Sequence, residues 1–225
     1  MVPPPCADDD VAALERELSV LLRRARAWSG ELARTVHPDL EAAAYGLLTH
    51  VAAAGLGRRR CRSARAAAGP LQRCRQTAAP LAAALGITIE IDDRLIEIGH
   101  GTWEGLLRDE IMKRDSALYQ LWRQRPAEVK FEGGETLADV AKRWSAFAGD
   151  LVKTTQSTLV VSHDAVVRIA LLLNQQRPLN ELWDVHVENA GFATFSIENN
   201  QLTLQNEASV EHLKALRASI AGQAL

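Results

Sequence analysis

A short polar turn between a predicted strand and a predicted helix carries the residues best suited to chemistry in this chain. The turn is Ser162-His163-Asp164, which follows an apolar run at residues 158–161 and precedes an apolar pattern with helical spacing. In α/β proteins the N-terminus of such a helix binds anions, because unpaired N–H groups and the helix dipole point at the turn. A histidine placed there can contact a phosphate group.

The elements expected around this turn alternate between strands and helices. Residues 87–91 are typical of a short strand, residues 106–124 of a helix and residues 192–204 of a hairpin. Residues 209–221 predict a terminal helix. This alternation predicts an α/β domain.

Three single residues also have expected places. Thr136 is expected to cap the helix that follows it. Tyr119 and Trp122 lie in the predicted helix at residues 106–124 and are interpreted as core residues or as residues that cap the pocket, and we favour the core.

Composition narrows the class of protein. The apolar fraction of 47% is enough for a core, and the net charge of -2 provides no overall basic field that would attract nucleic acid. The three cysteines are odd in number and lack metal-ligand spacing, which argues against a disulfide framework or a zinc site. No apolar run reaches membrane-spanning length and the acidic start is unlike a signal peptide, so we expect a soluble cytoplasmic protein.

Residues 1–57 predict a helical extension. The first helix should end before His37-Pro38, since the residue before proline avoids the α region, and a second should run from Asp39 through about Ala54. The apolar residues of the first helix recur at spacings of three and four, which makes a narrow heptad stripe: Val11, Leu14, Leu18, Leu21, Ala25, Trp28 and Leu32. A stripe of this kind packs against another helix, in the same chain or in a second copy, so a homodimer is one expectation.

Residues 13–55 resemble the N-terminal helices of MarR-type repressors, which form part of a dimerisation region. The resemblance implies a dimeric regulator, but the winged helix-turn-helix of that family should follow and is absent from this sequence. The arginine run that follows is interpreted either as a patch for nucleic acid or as a solvated linker, and we favour the linker up to Arg65. Nucleic acid is therefore the partner that we expect least.

Four stretches of the remaining chain, in this order, resemble the histidine phosphatase superfamily, which includes the phosphoglycerate mutase-like phosphatases. They read GPLQRCRQTAAPLAAALG, DDRLIEIGHGTWEGLLRDEI, FEGGETLADVAKRW and TLVVSHDAVVRIALLL, and they span about residues 69–196. The resemblance implies a three-layer α/β/α domain over residues 69–225, preceded by an Arg-rich linker at residues 58–68. It also implies a phosphorylated small molecule as the ligand.

The chemistry that this resemblance implies is the hydrolysis of a phosphomonoester. A histidine nitrogen attacks the phosphorus, and water later hydrolyses the phosphohistidine. Arginine suits the phosphoryl oxygens because its planar fork makes bidentate contacts, and a carboxylic acid protonates the leaving oxygen. No metal or other cofactor is required when the pocket itself supplies the positive charge.

The resemblance carries these roles onto particular residues. Arg73 would hold the phosphate, Glu97 would donate the proton to the leaving group, and His163 would contact the phosphoryl group as the second histidine of the pocket. Gly134 and Glu135 belong to a family loop beside the pocket, where they would help to bind the substrate.

The departures from the family pattern concern the nucleophile. The family's central first strand ends in an Arg-His-Gly motif, which this sequence lacks; His50 is the nearest imitation, but it lies 23 positions before Arg73 in a pattern that predicts helix. We therefore expect the central strand to be missing and phosphatase activity to be strongly reduced. The alternative is a non-catalytic dimerisation or regulatory module, or a MarR-like transcriptional regulator. Two smaller departures lie elsewhere: Gly69 replaces a common serine, and Asp164 adds negative charge near the pocket. Asn189, by contrast, resembles a family position, with lower specificity.

Overall fold

The computed structural model describes residues 47–53, 64–154, 156–188 and 191–209. The predicted heptad helix, the arginines before residue 64, Asn189 and nearly all of the predicted terminal helix lie outside these ranges and stay predictions, as does the MarR-like resemblance of residues 13–46. Within the described ranges, no helix combines the length and the hydrophobicity that crossing a bilayer requires.

One six-stranded sheet forms the centre of the described part. Its strands are β1 (Leu47–Ala53), β2 (Ala64–Ala68), β3 (Ile89–Ile91), β4 (Ser157–Ser162), β5 (Phe192–Glu198) and β6 (Gln201–Ser209). Their spatial order is β3-β2-β4-β1-β5-β6, and β2 is parallel to both β3 and β4. The predicted short strand and the predicted hairpin are confirmed by β3 and by the antiparallel pair of β5 and β6.

Strand β1 corrects two predictions. The predicted helix through about Ala54 is wrong at residues 47–53, which form a strand, and the predicted gap in the middle of the sheet is filled by that strand. The edges of β4 and β5 present rows of N–H and C=O groups that need partners, and this demand outweighs a modest helix propensity. Strand β1 runs antiparallel to β4, with Leu47 opposite Ser162, and parallel to β5.

Strand β2 occupies the last residues of the predicted Arg-rich linker, so the linker prediction is wrong for residues 64–68. Its final three alanines are buried in the sheet. Arg65 forms an ion pair with Glu90 of β3, and its Nε donates to Thr158 Oγ1 at 3.3 Å. Arg65 is therefore part of the sheet rather than of a solvated linker.

Helices cover both faces of the sheet. The described α-helices are α1 (Gln72–Leu85), α2 (Arg108–Arg114), α3 (Ser116–Gln124), α4 (Leu137–Leu151) and α5 (Asp164–Asn174). Helix α1 packs on one face through Cys74, Ala78 and Leu81, while α4 and α5 pack on the other. As the sequence predicts, Thr136 caps α4, and its hydroxyl accepts a hydrogen bond from Asp139 N at 3.2 Å.

The α4 and α5 face holds the large aromatic side chains of the core. Trp122 and Tyr119 are 2% and 7% exposed, which confirms the core interpretation that the sequence favours. Phe131 packs edge-on against Trp122, with ring centroids 5.1 Å apart, and Trp183 Nε1 donates to Trp122 O at 2.7 Å. These side chains form an aromatic cluster that joins the segment between β3 and α4 to Trp183.

Candidate active site

Strands β2 and β4 end side by side at one edge of the sheet. Gly69 N donates to Val161 O at 3.1 Å, and Ser162 Oγ donates to Leu95 O at 2.9 Å. A Cβ built on Gly69 would lie 2.6 Å from Leu95 O, closer than side-chain carbons approach an oxygen. The glycine found here in place of the common serine is therefore required by the packing of this chain.

His163 lies at this edge, immediately before α5, and it is 3% exposed. Arg73 Nε donates to His163 Nδ1 at 3.1 Å, and Cys74 Sγ lies 3.1 Å from His163 Nε2. Burial first, and then the positive charges of Arg73 and Arg143, lower the pKa of His163 to about 3. The imidazole is therefore neutral near pH 7 in the unliganded site.

Arg73 lies in the first turn of α1, from which its side chain crosses to the end of β4. Among the described residues, only its Nε is engaged as a hydrogen-bond donor, which leaves the terminal N–H groups for a ligand. A guanidinium with free terminal groups can make a bidentate contact with a phosphoryl group.

Glu97 follows a 3-10 turn at Asp93–Leu95, and its carboxylate reaches the N-terminus of α5. The carboxylate accepts a hydrogen bond from Ile98 N at 3.0 Å, and the N–H of Ala165 also favours its charged form. Burial, followed by the negative charge of Asp164, raises the pKa of Glu97 to about 7, against the lowering effect of both N–H groups and of Arg73. A carboxyl group with this pKa keeps a proton that it can donate near neutral pH.

Asp164 begins α5 and adds the negative charge that the sequence predicts beside the pocket. Arg168, one turn later, donates to its carboxylate at 2.8 Å and so offsets part of that charge. The guanidinium of Arg168 also lies 5.5 Å from the ring centroid of Trp183. Arg168 therefore links Asp164 of the first turn of α5 to Trp183.

Gly134 and Glu135 bind the loop that carries Glu97. A Cβ on Gly134 would lie 2.3 Å from Gly99 O, and Glu135 Oε2 accepts from Gly99 N at 3.0 Å. Arg143 of α4 donates to the same carboxylate through its Nε, at 2.9 Å to Oε1. The structure thus gives this pair a supporting role, and the predicted contact with substrate stays a prediction.

Two residues of the site were missed by the sequence analysis. Cys74 contacts His163 across a separation of 89 residues, and only its place next to Arg73 hinted at the pocket. Arg143 joins Glu135 to Arg94 O, the latter at 2.7 Å, and its charge acts on His163. No sequence signal distinguished Arg143 from an ordinary helix arginine.

Two further histidines, His100 and His50, hold other positions in the fold. His100 packs edge-on against Phe131, with ring centroids 4.9 Å apart, and burial lowers its pKa. His50 lies in the middle of β1, opposite Leu159 of β4. At about 3.3 Å per residue, the backbone of His50 is about 10 Å from the edge at which Ser162 ends β4. This register supports the expectation that His50 is structural.

Arg73, His163 and Glu97 thus come together where β2 and β4 end and α5 begins. They supply a guanidinium, a neutral imidazole and a carboxyl group with a pKa of about 7, beside the N-terminus of α5. This set can hold a phosphoryl group and protonate a leaving oxygen. Within the described ranges, no cluster of three or more metal-ligating side chains is present.

Comparison with known proteins gives a family match over most of the chain. The model of the histidine phosphatase superfamily (branch 1) matches residues 22–208, so the match begins inside the segment that resembles MarR-type helices. Phosphoserine phosphatase 1 of Hydrogenobacter thermophilus is 32% identical over 134 residues, which are 59% of this chain and 64% of that protein. The chain therefore spans less than two thirds of this relative's own length.

Solved structures share the fold at lower identity. YhfR of Bacillus stearothermophilus aligns with a TM-score of 0.65 at 20% identity, covering 75% of this chain and all 100% of that one. A mycobacterial glucosyl-3-phosphoglycerate phosphatase aligns with a TM-score of 0.58 at 18% identity, covering 73% of this chain and 97% of that one. These likenesses confirm the predicted α/β fold of the phosphoglycerate mutase-like class.

Proposed function

The chain belongs to the histidine phosphatase superfamily (branch 1), and from this we propose that it binds phosphomonoesters but hydrolyses them far more slowly than a site with a complete nucleophile motif. The observation that supports binding is the convergence of Arg73, His163 and Glu97 at the N-terminus of α5. The observation that supports slow hydrolysis is the direction of β1.

The binding half of the proposal uses fixed donors. The terminal N–H groups of Arg73 point to a bidentate contact with two phosphoryl oxygens, and the first N–H groups of α5 add further donors. His163 lies between them, held by Arg73 and by Cys74. Because these groups are ordered before the ligand arrives, little conformational entropy is lost on binding.

The proton-transfer half of the proposal assigns the leaving-group oxygen to Glu97. Its carboxyl group has a pKa of about 7, so at slightly acidic pH it carries the proton that the departing alkoxide needs. Glu135 and Arg143 hold the loop of Glu97 from behind, through Gly99. This support keeps the donor in place when the phosphate fills the pocket.

The part of the catalytic site that this chain lacks is the nucleophile. The Arg-His-Gly motif is absent, and the strand next to β4 runs in the opposite direction, so its carboxyl end at Ala53 faces away from the edge of His163. Hydrolysis by this family's chemistry needs a histidine nitrogen on the side of phosphorus opposite the leaving oxygen. Water alone would have to make that attack, which leaves a slow reaction.

The names of the similar proteins favour a phosphorylated small molecule as the ligand. One is a phosphoserine phosphatase and another a glucosyl-3-phosphoglycerate phosphatase. The sequence adds the expectation of a cytoplasmic location, and the chemistry that the family resemblance implies adds the expectation that no cofactor is required.

The test is a phosphatase assay with a generic aryl phosphate, run together with thermal unfolding in increasing inorganic phosphate. We expect turnover near the buffer rate and a phosphate-dependent rise in Tm that is lost in Arg73→Ala and His163→Ala. Arg75→Ala is the matched control, because Arg75 lies in the same helix turn and is exposed. No stabilisation of the wild type would overturn the binding proposal. Robust turnover through an acid-labile phosphohistidine would overturn the slow-hydrolysis proposal and make His50 the first residue to replace.

The alternative function is a non-catalytic dimerisation or regulatory module, and the direction of β1 favours it as well. It uses the predicted heptad helix as the contact between two copies. Light scattering over a wide concentration range tests it, because a monomer at every concentration contradicts a dimer. Retained phosphate binding in a dimer without turnover is the result expected of a phosphate-responsive regulator.

A further inference from the structure

We propose that Cys74 is a positioning residue of this pocket, whose sulfur holds the proton-bearing Nε2 of His163 and so keeps Nδ1 turned toward Arg73. The proposal rests on the proposed function, since it assigns a role within the same phosphate site. Neither the sequence pattern nor the family resemblance assigned any role to this cysteine.

The contacts of Cys74 place it behind His163. Its side chain is fully buried in the first part of α1, with Sγ 3.1 Å from His163 Nε2 and 3.5 Å from Ser162 O. Gly69 packs on the same side, because a Cβ on Gly69 would lie 3.3 Å from His163 Nε2. The Nε2 edge of the ring therefore faces protein, and the Nδ1 edge faces Arg73.

The direction of each hydrogen bond follows from the donors present. A guanidinium N–H can only donate, so His163 Nδ1 accepts from Arg73 Nε and carries no proton. The proton of the neutral ring is then on Nε2, which donates to the sulfur of Cys74. The S–H of Cys74 in turn donates to Ser162 O. His163 and Cys74 each accept one hydrogen bond and donate one, so the three bonds form a chain from Arg73 to Ser162 O.

The chemical state of Cys74 fits that role. Burial raises the pKa of the thiol to about 12, so the S–H stays in place over the whole working range of pH. A thiol in this state is a poor nucleophile, which argues against a reactive cysteine and for a fixed hydrogen-bond partner.

Arg73 and Cys74 both favour the Nε2–H tautomer of His163, so loss of the sulfur removes one of two constraints and should let the Nδ1–H form gain population. A ring with its proton on Nδ1 would direct an N–H at the N–H of Arg73, and the two donors would repel. Arg73 would then be held less well for the phosphoryl group, and phosphate affinity would fall. A serine at position 74 keeps an acceptor behind the ring, so it should preserve the tautomer.

The first experiment reads the tautomer directly, in the full-length protein without ligand. Long-range ¹H–¹⁵N correlation spectra of His163 should show the Nε2–H form in the wild type, a mixture of forms in Cys74→Ala and the Nε2–H form again in Cys74→Ser. Leu81→Val is the control, because it shortens another buried side chain of α1 in the same cluster, two turns away. Unchanged Nε2–H in Cys74→Ala would overturn the proposal.

The second experiment measures the affinity for inorganic phosphate by titration. Cys74→Ala should weaken it by about 3- to 10-fold, while Cys74→Ser and Leu81→Val should stay within about 2-fold of the wild type. Equal affinity in Cys74→Ala and the wild type would contradict the positioning role. If the wild type binds no phosphate, the proposed function fails, while the tautomer experiment on the empty protein still decides the role of Cys74.

Discussion

The two strands that lie side by side in the middle of the sheet differ in what they bring to the site. Strand β4 ends at the site edge and delivers Ser162 and His163 into a complete hydrogen-bond network. Strand β1, its neighbour, runs the other way, and its carboxyl end lies at the far edge. In the proposed function, holding a phosphate and attacking it depend on these two different strands, so the proposal allows one ability without the other.

The reason for the difference is physical. Parallel pairing with β2 and the helix that follows fix the direction of β4, so its carboxyl end lies at the edge of the sheet where β2 also ends. Strand β1 lies between β4 and β5, antiparallel to β4 and parallel to β5, so these two neighbours run in opposite directions. Either direction of β1 satisfies both ladders of backbone hydrogen bonds.

The largest effect should come from breaking the backbone contact that supports the loop of Glu97. Gly134→Ala places a carbon 2.3 Å from Gly99 O, so backbone must move, and we expect a loss of about 3 kcal/mol or more in the free energy of unfolding. Gly149→Ala in α4 meets nothing within 4 Å and should stabilise by about 0.5–1 kcal/mol. Urea unfolding measures both, and equal stabilities of the two variants would contradict the close contact.

The next prediction compares the edge of the site with strand β1 through the affinity for inorganic phosphate. Arg73→Ala removes a charged donor and should weaken inorganic phosphate binding by about 10- to 100-fold. His50→Ala should leave the affinity within about 2-fold, because its backbone lies about 10 Å from the site edge. Isothermal titration provides the measurement. A large loss in the His50 variant would place β1 in the binding half after all.

A third effect concerns stability against pH between 4.5 and 6.5. The pKa of Glu97 rises from its ordinary 4.5 to about 7, so the unfolded state loses this proton first and stability falls as pH rises. The pKa of His163 falls from 6.5 to about 3, so the unfolded state gains this proton first and stability rises with pH. The two contributions oppose each other across this window.

Single replacements should therefore separate the two contributions. Glu97→Gln should make the slope of unfolding free energy against pH more positive, and His163→Ala should make it more negative, each by up to about 1.4 kcal/mol per pH unit. Urea unfolding at pH 4.5, 5.5 and 6.5 measures the slopes. The contribution of His100 is common to both variants and cancels. Slopes that stay equal to that of the wild type would contradict the burial of these groups.

The smallest effect tests the link between α4 and the Glu97 loop. Arg143→Lys replaces the paired contacts with Glu135 by a single one, and we expect a loss of about 1 kcal/mol in stability together with weaker order of the Glu97 loop. Lys142→Ala is the control, since Lys142 immediately precedes Arg143 in α4 and is exposed. An Arg143 variant as stable as the control would show that the link contributes little.

Sequence patterns predicted the elements whose signals are local. The capping of α4 by Thr136, the hairpin of β5 and β6 and the core positions of Tyr119 and Trp122 all follow from spacing and residue type. The resemblance to the family named Arg73, Glu97 and His163, and the structure brings their side chains together, while their roles in binding stay predictions.

What the sequence did not predict depends on contacts between distant residues. Strand β1 reads LLTHVAA, which suits a helix as well as a strand, and only the edges of β4 and β5 decide between them. Cys74 and Arg143 gained their roles from partners elsewhere in the chain, Ser162 and His163 for the one and Arg94 for the other. No local pattern records such partners.

The close approach of two glycine-bearing loops has a consequence for how this molecule opens. Glu135 N donates to Gly99 O at 2.8 Å and Thr102 N donates to Glu132 O at 3.0 Å, so backbone joins backbone with no side chain between. The amides of these residues should exchange with deuterium together, as one cooperative unit, rather than one by one. The loop that bears Glu97 would then open only when the turn before α4 opens with it.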